Sequence, residues 1–185
     1  MKNLLILLLS FSALTLWAGE NLSLRDITDG KYSPRGVYGI NPLQDGDQYA
    51  MIEDGKRIVA YSFRTGQQVA VLFDADNTKG QAKVSRIDGY VMSPDEKNIL
   101  IRTQTKSIYR RSSTAVYYIY NVRNRSLVPL SDGGPQECPV FSPDGNQIAF
   151  VREGNIFLVK LLFNNSESQV TKDGKYNHII NGKPD

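Results

Sequence analysis

Residues 93–101 read SPDEKNILI, and the same word returns 49 residues later as SPDGNQIAF at 142–150. A weaker copy, DGDQYAMI at 45–52, lies about one period earlier. In each copy a turn built from Pro, Asp or Gly precedes an apolar strand, because proline fixes φ and glycine tolerates a positive φ. A turn and a strand that recur near every fifty residues are typical of the blades of a β-propeller.

The rest of each period also divides into short apolar strands bounded by Gly, Asn, Asp and Pro. We predict these strands at 56–63, 69–73, 115–121, 126–130, 155–161 and 169–171. A β-sandwich is the alternative, but the fixed offset of the repeated word favours the propeller. The predicted fold class is all-β, an incomplete β-propeller of about three four-stranded blades. Closed propellers have about four to eight blades, so three cannot close a ring.

The first eighteen residues differ in composition from the remainder. Lys2 precedes an apolar run at 4–9, and Ala18 and Gly19 are small residues suited to cleavage after either one. We therefore predict a signal peptide at 1–18, a propeller part at 19–185 and export to the periplasm or the medium. A buried N-terminal helix and an uncleaved anchor are the alternatives. The single cysteine, Cys138, excludes an internal disulfide, and its CPVF context predicts a buried, inert thiol in a core strand.

Composition and motifs exclude several classes of function. The 185 residues carry a formal net charge of +3, which is too small to indicate nucleic-acid binding. No Gly-x-Ser-x-Gly elbow is present, and the single histidine, His178, is predicted in a strand without a partner serine. One histidine and one cysteine cannot supply a zinc site. We therefore predict no catalytic residue, no metal site and no cofactor within this chain.

Three segments resemble one family of serine peptidases. Residues 109–120, YRRSSTAVYYIY, resemble the arginine-bearing blade segment of dipeptidyl peptidase IV, a member of the prolyl oligopeptidase family. The FSPDG word at 141–145 is similar to that family's aromatic-Ser-Pro-x-Gly word. Residues 171–185 resemble the approach to its glutamate motif. The resemblance extends over most of the chain, from about residue 22 to residue 185.

The resemblance implies an eight-bladed propeller followed by an α/β-hydrolase domain that releases X-Pro dipeptides from peptide N-termini. On this reading the chain ends before the glutamate motif and the hydrolase domain, so we predict that it is inactive alone. The family's propeller arginine corresponds to Arg110, which would bind a substrate carbonyl. The alternative for Arg110 is a solvated surface residue or one in a salt bridge. Arg111 is expected on the opposite face, in solvent, if the segment is extended.

The expected partners follow from the same resemblance. They are a peptide substrate with a free N-terminus and a second copy of the full-length enzyme, whereas nucleic acid is not expected. A different class of function is the alternative: a TolB-like periplasmic propeller that binds or scaffolds and has no enzymatic activity. The generic Ser-Pro-Asp-Gly repeat suits both functions, so Arg110 is the residue that discriminates between them.

Overall fold

The computed structural model describes residues 22–34, 36, 39–80, 82–175 and 178–183. The predicted signal peptide, residues 1–18, lies outside these residues. The chain divides into two compact units, Met1–Tyr38 and Gly39–Asp185. In the described part of the first, helix α1 spans Leu24–Thr28, and the Ser23 hydroxyl accepts a hydrogen bond from the Asp26 N–H at 3.0 Å. Within the described ranges, no helix has the length and apolar character needed to cross a membrane.

The second unit contains three four-stranded antiparallel sheets, each following the chain strand by strand. We name them the first blade (β1–β4), the second blade (β5–β8) and the third blade (β9–β12). The strands are β1 Asn41–Pro42, β2 Gln48–Glu53, β3 Arg57–Ser62, β4 Gln68–Asp74, β5 Gly89–Met92, β6 Asn98–Ser107, β7 Ser113–Asn121, β8 Ser126–Pro129, β9 Glu137–Phe141, β10 Gln147–Arg152, β11 Asn155–Lys160 and β12 Ser166–Gln169. Short 3-10 helices lie at Ala75–Asn77 and Leu161–Phe163.

The repeated word forms the same turn in two blades. The Ser93 hydroxyl donates to the Asp95 carboxylate at 2.7 Å and accepts from the Asn98 N–H at 3.0 Å. Ser142 makes the equivalent pair of hydrogen bonds in the third blade. The fourth residue of the turn has a positive φ in both copies, 56° at Glu96 and 71° at Gly145. The sequence repeat is therefore a structural repeat, closed by the serine and aspartate side chains.

Two apolar clusters hold the blades together. The first joins the first and second blades through side chains that include Ile58, Phe73, Ile99, Ile101 and Tyr120. The second joins the second and third blades through side chains that include Leu100, Ile119, Ile148, Phe150 and Phe157. Neighbours on β6 point to opposite faces, so Ile99 and Leu100 enter different clusters. Successive sheets that pack face to face confirm the predicted incomplete propeller, whereas a β-sandwich has only two sheets.

The strand predictions hold except for the last strand of the third blade. Strands β3, β4, β7, β8 and β11 lie within two residues of their predicted bounds. Strand β12, however, spans Ser166–Gln169, earlier than the predicted 169–171. Asn164 and Asn165 adopt φ values of 55° and 53°, which turn the chain back immediately before β12. All four residues of β12 are exposed and polar, so no apolar pattern marks the strand.

The prediction of a buried cysteine is wrong. Cys138 is exposed and has a φ of 48°. The β9–β10 register shifts there, because Ala149 pairs with Val140 but Val151 pairs with Glu137. Strand β9 thus contains one extra residue, a β-bulge. Burial along the strand still alternates, with Glu137 and Phe141 buried and Cys138 and Val140 exposed. Glu137 is buried in place of the thiol.

Candidate functional site: the long hairpin of the second blade

The hairpin between the second and third strands differs among the blades. In the first blade, pairing ends at Glu53 and Arg57, and in the third blade it ends at Arg152 and Asn155. In the second blade, β6 has ten residues and β7 has nine, and the last pair joins Ser107 to Ser113. We call residues 103–116 the long hairpin.

The long hairpin extends past its neighbours in the same sheet. Strand β5 pairs with β6 only as far as Arg102, and β8 pairs with β7 only as far as Tyr118. The Thr103 hydroxyl donates across the hairpin to the Val116 carbonyl at 3.0 Å, and Gln104 occupies a bulge with a φ of 51°. The hairpin is therefore a two-stranded projection with its own bend.

A carboxylate holds one side of the hairpin base. Asp88, just before β5, accepts a hydrogen bond from the Thr105 N–H at 2.9 Å. This hydrogen bond is the main cause that lowers the pKa of Asp88 below its usual value, and nearby Arg86 and Arg102 act in the same direction. A cleft of about 330 Å³ lies beside this contact, with Lys83, Arg86, Asp88, Thr103, Thr105 and Tyr118 among its lining residues.

Arg110 lies at the tip of the long hairpin. Its side chain is exposed and has neither a hydrogen-bond nor an ion-pair partner in the part of the chain that the structure describes. Tyr109 beside it is 76% exposed, and the Ile108 N–H donates to the Ser112 carbonyl at 2.8 Å to close the tip. The assignment of Arg110 to substrate binding stays a prediction.

Arg111 is also exposed, as expected. The expectation that it lies on the face opposite Arg110 assumed an extended segment, and this assumption is wrong. Residues 108–111 form a bend between the two strands. Alternation of faces applies only to extended backbone, so both arginines belong to one basic tip.

His178 is not in a strand as predicted. It lies in an exposed turn, where its N–H donates to the Lys175 carbonyl at 2.9 Å. Across the described ranges, no group of three or more His, Cys, Asp and Glu side chains is arranged to hold a metal ion. Two neighbouring buried polar side chains, Gln136 and Glu137, were not predicted, because two polar residues at the start of a strand carry no motif.

Comparison with known proteins agrees with this architecture. Residues 93–185 match the family described as the dipeptidyl peptidase IV (DPP IV) N-terminal region. Human prolyl endopeptidase FAP is 31% identical over 165 residues, which cover 89% of this chain and 21% of that protein. A probable dipeptidyl-aminopeptidase B from Chaetomium globosum is 38% identical over 181 residues, covering 92% of this chain and 19% of the relative.

A solved structure gives the same result for the fold. The crystal structure of Porphyromonas gingivalis dipeptidyl peptidase 4 superposes with a TM-score of 0.82 at 36% identity, over 90% of this chain and 24% of that one. The chain spans about a fifth of the length of the curated relatives it matches. The resemblance identified from residues 109–120, 141–145 and 171–185 is confirmed, and the chain belongs to the dipeptidyl peptidase IV N-terminal region family.

Proposed function

We propose that this chain is the N-terminal propeller part of a dipeptidyl peptidase IV-like serine exopeptidase that releases X-Pro dipeptides from peptide N-termini. The observation that carries the proposal is the long hairpin, which presents an exposed Arg110 in a chain of this family. The role assigned to Arg110 is to bind a carbonyl oxygen of the substrate. The catalytic serine, histidine and aspartate belong to sequence outside these 185 residues.

The setting of Arg110 suits this role. A guanidinium is always charged and presents a rigid fork of N–H donors. Arg110 has no ion pair within the described residues, so substrate binding would break no existing contact of that kind. Its hairpin is tied at the base through Asp88 and Thr105, which limits how far the tip can move. An exposed cation on a supported projection is well placed to orient a peptide by its backbone.

The proposal includes inactivity of the chain by itself. The sequence has no Gly-x-Ser-x-Gly elbow, and its one histidine lies in an exposed turn. Nucleophilic catalysis needs a serine within hydrogen-bond reach of a base, which a carboxylate orients in turn. Purified 185-residue chain should therefore give no release of X-Pro dipeptides above the uncatalysed rate.

The decisive experiment uses the complete polypeptide that contains this chain. We expect Arg110→Ala to lower kcat/KM for a chromogenic X-Pro substrate by about 10²-fold, because a donor that orients the substrate is lost. Arg111→Ala is the matched control, one residue away in the same bend, and should stay within about twofold of wild type by the same reasoning. Equal melting temperatures would show that both variants fold.

Two outcomes would contradict the proposal in different ways. Unchanged cleavage in Arg110→Ala would remove that residue from substrate binding and leave the family assignment intact. A folded complete polypeptide that does not cleave X-Pro substrates would remove the exopeptidase function. The TolB-like binding or scaffolding module without enzymatic activity would then be the better description.

Localisation and assembly complete the proposal. The sequence of residues 1–18 supports export to the periplasm or the medium, and the partners would be a peptide with a free N-terminus and a second copy of the complete enzyme. N-terminal sequencing of the exported protein should begin at Gly19 or Glu20. A mature protein that retains Met1 would contradict cleavage at this site.

A further inference from the structure

The junction between the second and third blades contains a fully buried glutamine. Gln136 is 0% exposed, and both ends of its amide are used. Its Oε1 accepts from the Tyr117 N–H at 3.0 Å, and its Nε2 donates to the Gly134 carbonyl. Its backbone exchanges two hydrogen bonds with Ala115, at 3.0 and 2.8 Å. A buried amide with these partners is a fixed joint, because losing a partner would leave a polar group unpaired.

The joint lies where the long hairpin leaves the sheet. Strand β8 stops pairing at Tyr118, so the next residues of β7 would otherwise have an open edge. The Leu130 N–H binds the Tyr117 carbonyl at 2.9 Å, and Gln136 satisfies the Tyr117 N–H and both backbone groups of Ala115. Gln136 therefore holds the β7 side of the hairpin base, opposite the contact of Asp88 with the β6 side.

The next residue forms a second buried contact. Glu137 pairs with Val151 in β10, and its carboxylate forms an ion pair with Lys183, with the two side chains only 10% and 15% exposed. Lys183 belongs to the segment 178–183, which packs on the third blade through a hydrogen bond from the Asn181 N–H to the Gly154 carbonyl at 2.9 Å. Removing one partner of a buried ion pair leaves an uncompensated charge, so this contact is costly to break.

We propose that Gln136 and Glu137 form a positioning pair that fixes the long hairpin, and with it Arg110, relative to the segment 178–183. The two neighbouring side chains have different partners, because Gln136 binds Tyr117 beside the long hairpin and Glu137 pairs with Lys183, so one dipeptide holds two segments at once. Neither side chain is exposed, so neither contacts substrate. The catalytic consequence rests on the proposed function of Arg110, whereas the mechanical role can be measured without it.

The mechanical role is tested by hydrogen exchange on the complete polypeptide. Gln136→Met keeps the length of the side chain and removes its hydrogen bonds. We expect the amides of residues 105–115 to exchange about tenfold faster, because exchange reports local opening. Amides of the tight hairpin at 53–57 should not change. Gln147→Met, a half-buried glutamine on β10, is the matched control and should leave the long hairpin unaffected.

Variants of the Glu137–Lys183 ion pair test the same role independently, and they keep the proposal testable if Gln136→Met does not fold. Lys183→Met should speed exchange both in the segment 178–183 and in the long hairpin. The charge swap, Glu137→Lys with Lys183→Glu, should restore slow exchange in both, because the ion pair is re-formed with opposite polarity. Unchanged exchange of the long hairpin in Gln136→Met and in Lys183→Met would overturn the proposal.

The consequence for catalysis is tested by a double-mutant cycle with an X-Pro substrate. Gln136→Met should raise KM about tenfold and change kcat little, and it should have no further effect in an Arg110→Ala background. An equal loss in both backgrounds would overturn positioning through Arg110. If Arg110→Ala is fully active while Gln136→Met still speeds exchange, the proposed function of Arg110 fails and the mechanical joint stands.

Discussion

Two kinds of hairpin join the second and third strands of the blades. The tight ones, in the first and third blades, turn through Gly55 and Gly154 at φ values of 65° and 72°. The long hairpin contains no glycine between residues 103 and 116 and ends in an exposed basic tip. The tight hairpins also lie against neighbours: a Cβ added at Gly154 would come within 3.3 Å of the Ile179 carbonyl oxygen.

The difference indicates that the regular blades and the long hairpin have different roles in the protein. Blades that follow the repeat bury their apolar side chains between sheets and turn back at once. Residues 104–111 of the long hairpin are all exposed, so their contribution to folding is small, and they present polar and aromatic groups to solvent instead. Where one copy of a repeat departs from the others, function is a better explanation than stability.

The largest expected effect comes from making the long hairpin tight. Replacing residues 104–115 by Asn-Gly would join Thr103 to Val116 through a two-residue turn of the kind that suits antiparallel strands. Since Arg110 is removed with its support, we expect cleavage of an X-Pro substrate by the complete polypeptide to fall by about 10³-fold. Circular dichroism should remain that of a β-protein.

A control for this exchange is the tight hairpin of the third blade. Replacing Glu153 by Asn changes the turn to Asn-Gly without altering its length, and Asn accepts the positive φ of 51° at this position. Cleavage should be unaffected. Normal activity in the shortened long-hairpin variant would end the assignment of function to that hairpin.

Sequence and structure agree best where the chain repeats. The Ser-Pro-Asp word predicts the turns at residues 93 and 142 because it fixes a backbone angle and supplies closing hydroxyl and carboxylate groups. Strand β3 buries three consecutive apolar residues, Ile58 to Ala60, whereas burial alternates along the middle of β7, and both apolar segments are visible without coordinates.

Other features depend on contacts between distant residues. The bulge at Cys138 arises from register with β10, and Pro139, which has no N–H to donate, was its only local sign. Gln136 meets Tyr117 across 19 positions, and Glu137 meets Lys183 across 46. No local pattern records such pairings, so the sequence indicates the arginine-bearing segment through its family resemblance but carries no sign of the joint that holds it.

A second comparison is between side chains buried between the blades and side chains exposed on the surface. Phe150 is 1% exposed and stacks on Phe157 with ring centroids 5.5 Å apart, between the second and third blades. We expect Phe150→Ala to lower the free energy of unfolding by about 3–5 kcal/mol, because a large buried ring leaves a cavity. Val140→Ala, at a position that is 58% exposed, should change it by less than about 0.5 kcal/mol. Urea denaturation measures both.

The same denaturation experiment can separate a role of Arg110 in stability from a role in substrate binding. Arg110→Ala should behave like Val140→Ala in the denaturation experiment and unlike it in the activity assay. If Arg110→Ala lowered stability as Phe150→Ala does, its effect on cleavage would reflect folding and not substrate binding.

The repeated turns predict a smaller, pH-dependent effect. The pKa of Asp95 is lowered from 3.8 to about 2, chiefly by the hydrogen bond from the Ser93 hydroxyl and then by Lys97. A lowered folded-state pKa stabilises the protein above about pH 4, and this contribution is lost as pH falls through about 2. Ser93→Ala should raise the pKa of Asp95 and reduce the loss of stability between pH 4 and 2.

Carboxyl titration by nuclear magnetic resonance measures this pKa directly. Ser142 lowers the pKa of Asp144 in the third blade by the same kind of hydrogen bond, so Ser142→Ala is the matched variant. Each serine should affect only its own aspartate. An Asp95 pKa near 3.8 in the wild-type protein would show that the Ser93 hydroxyl does not close the turn.

The smallest expected effect concerns Cys138, where the third blade departs from a regular strand. An exposed thiol should react with Ellman's reagent in the folded protein within about tenfold of its rate in urea, because reactivity follows access to the thiolate. Cys138→Gly should stay within about 1 kcal/mol of wild type, since glycine adopts the positive φ without strain. A core cysteine would show the opposite pair of results: slow labelling, and a destabilisation that reflects lost packing. Slow labelling together with strong destabilisation would place the thiol inside after all, and the bulge that brings Glu137 to Lys183 would have to be abandoned.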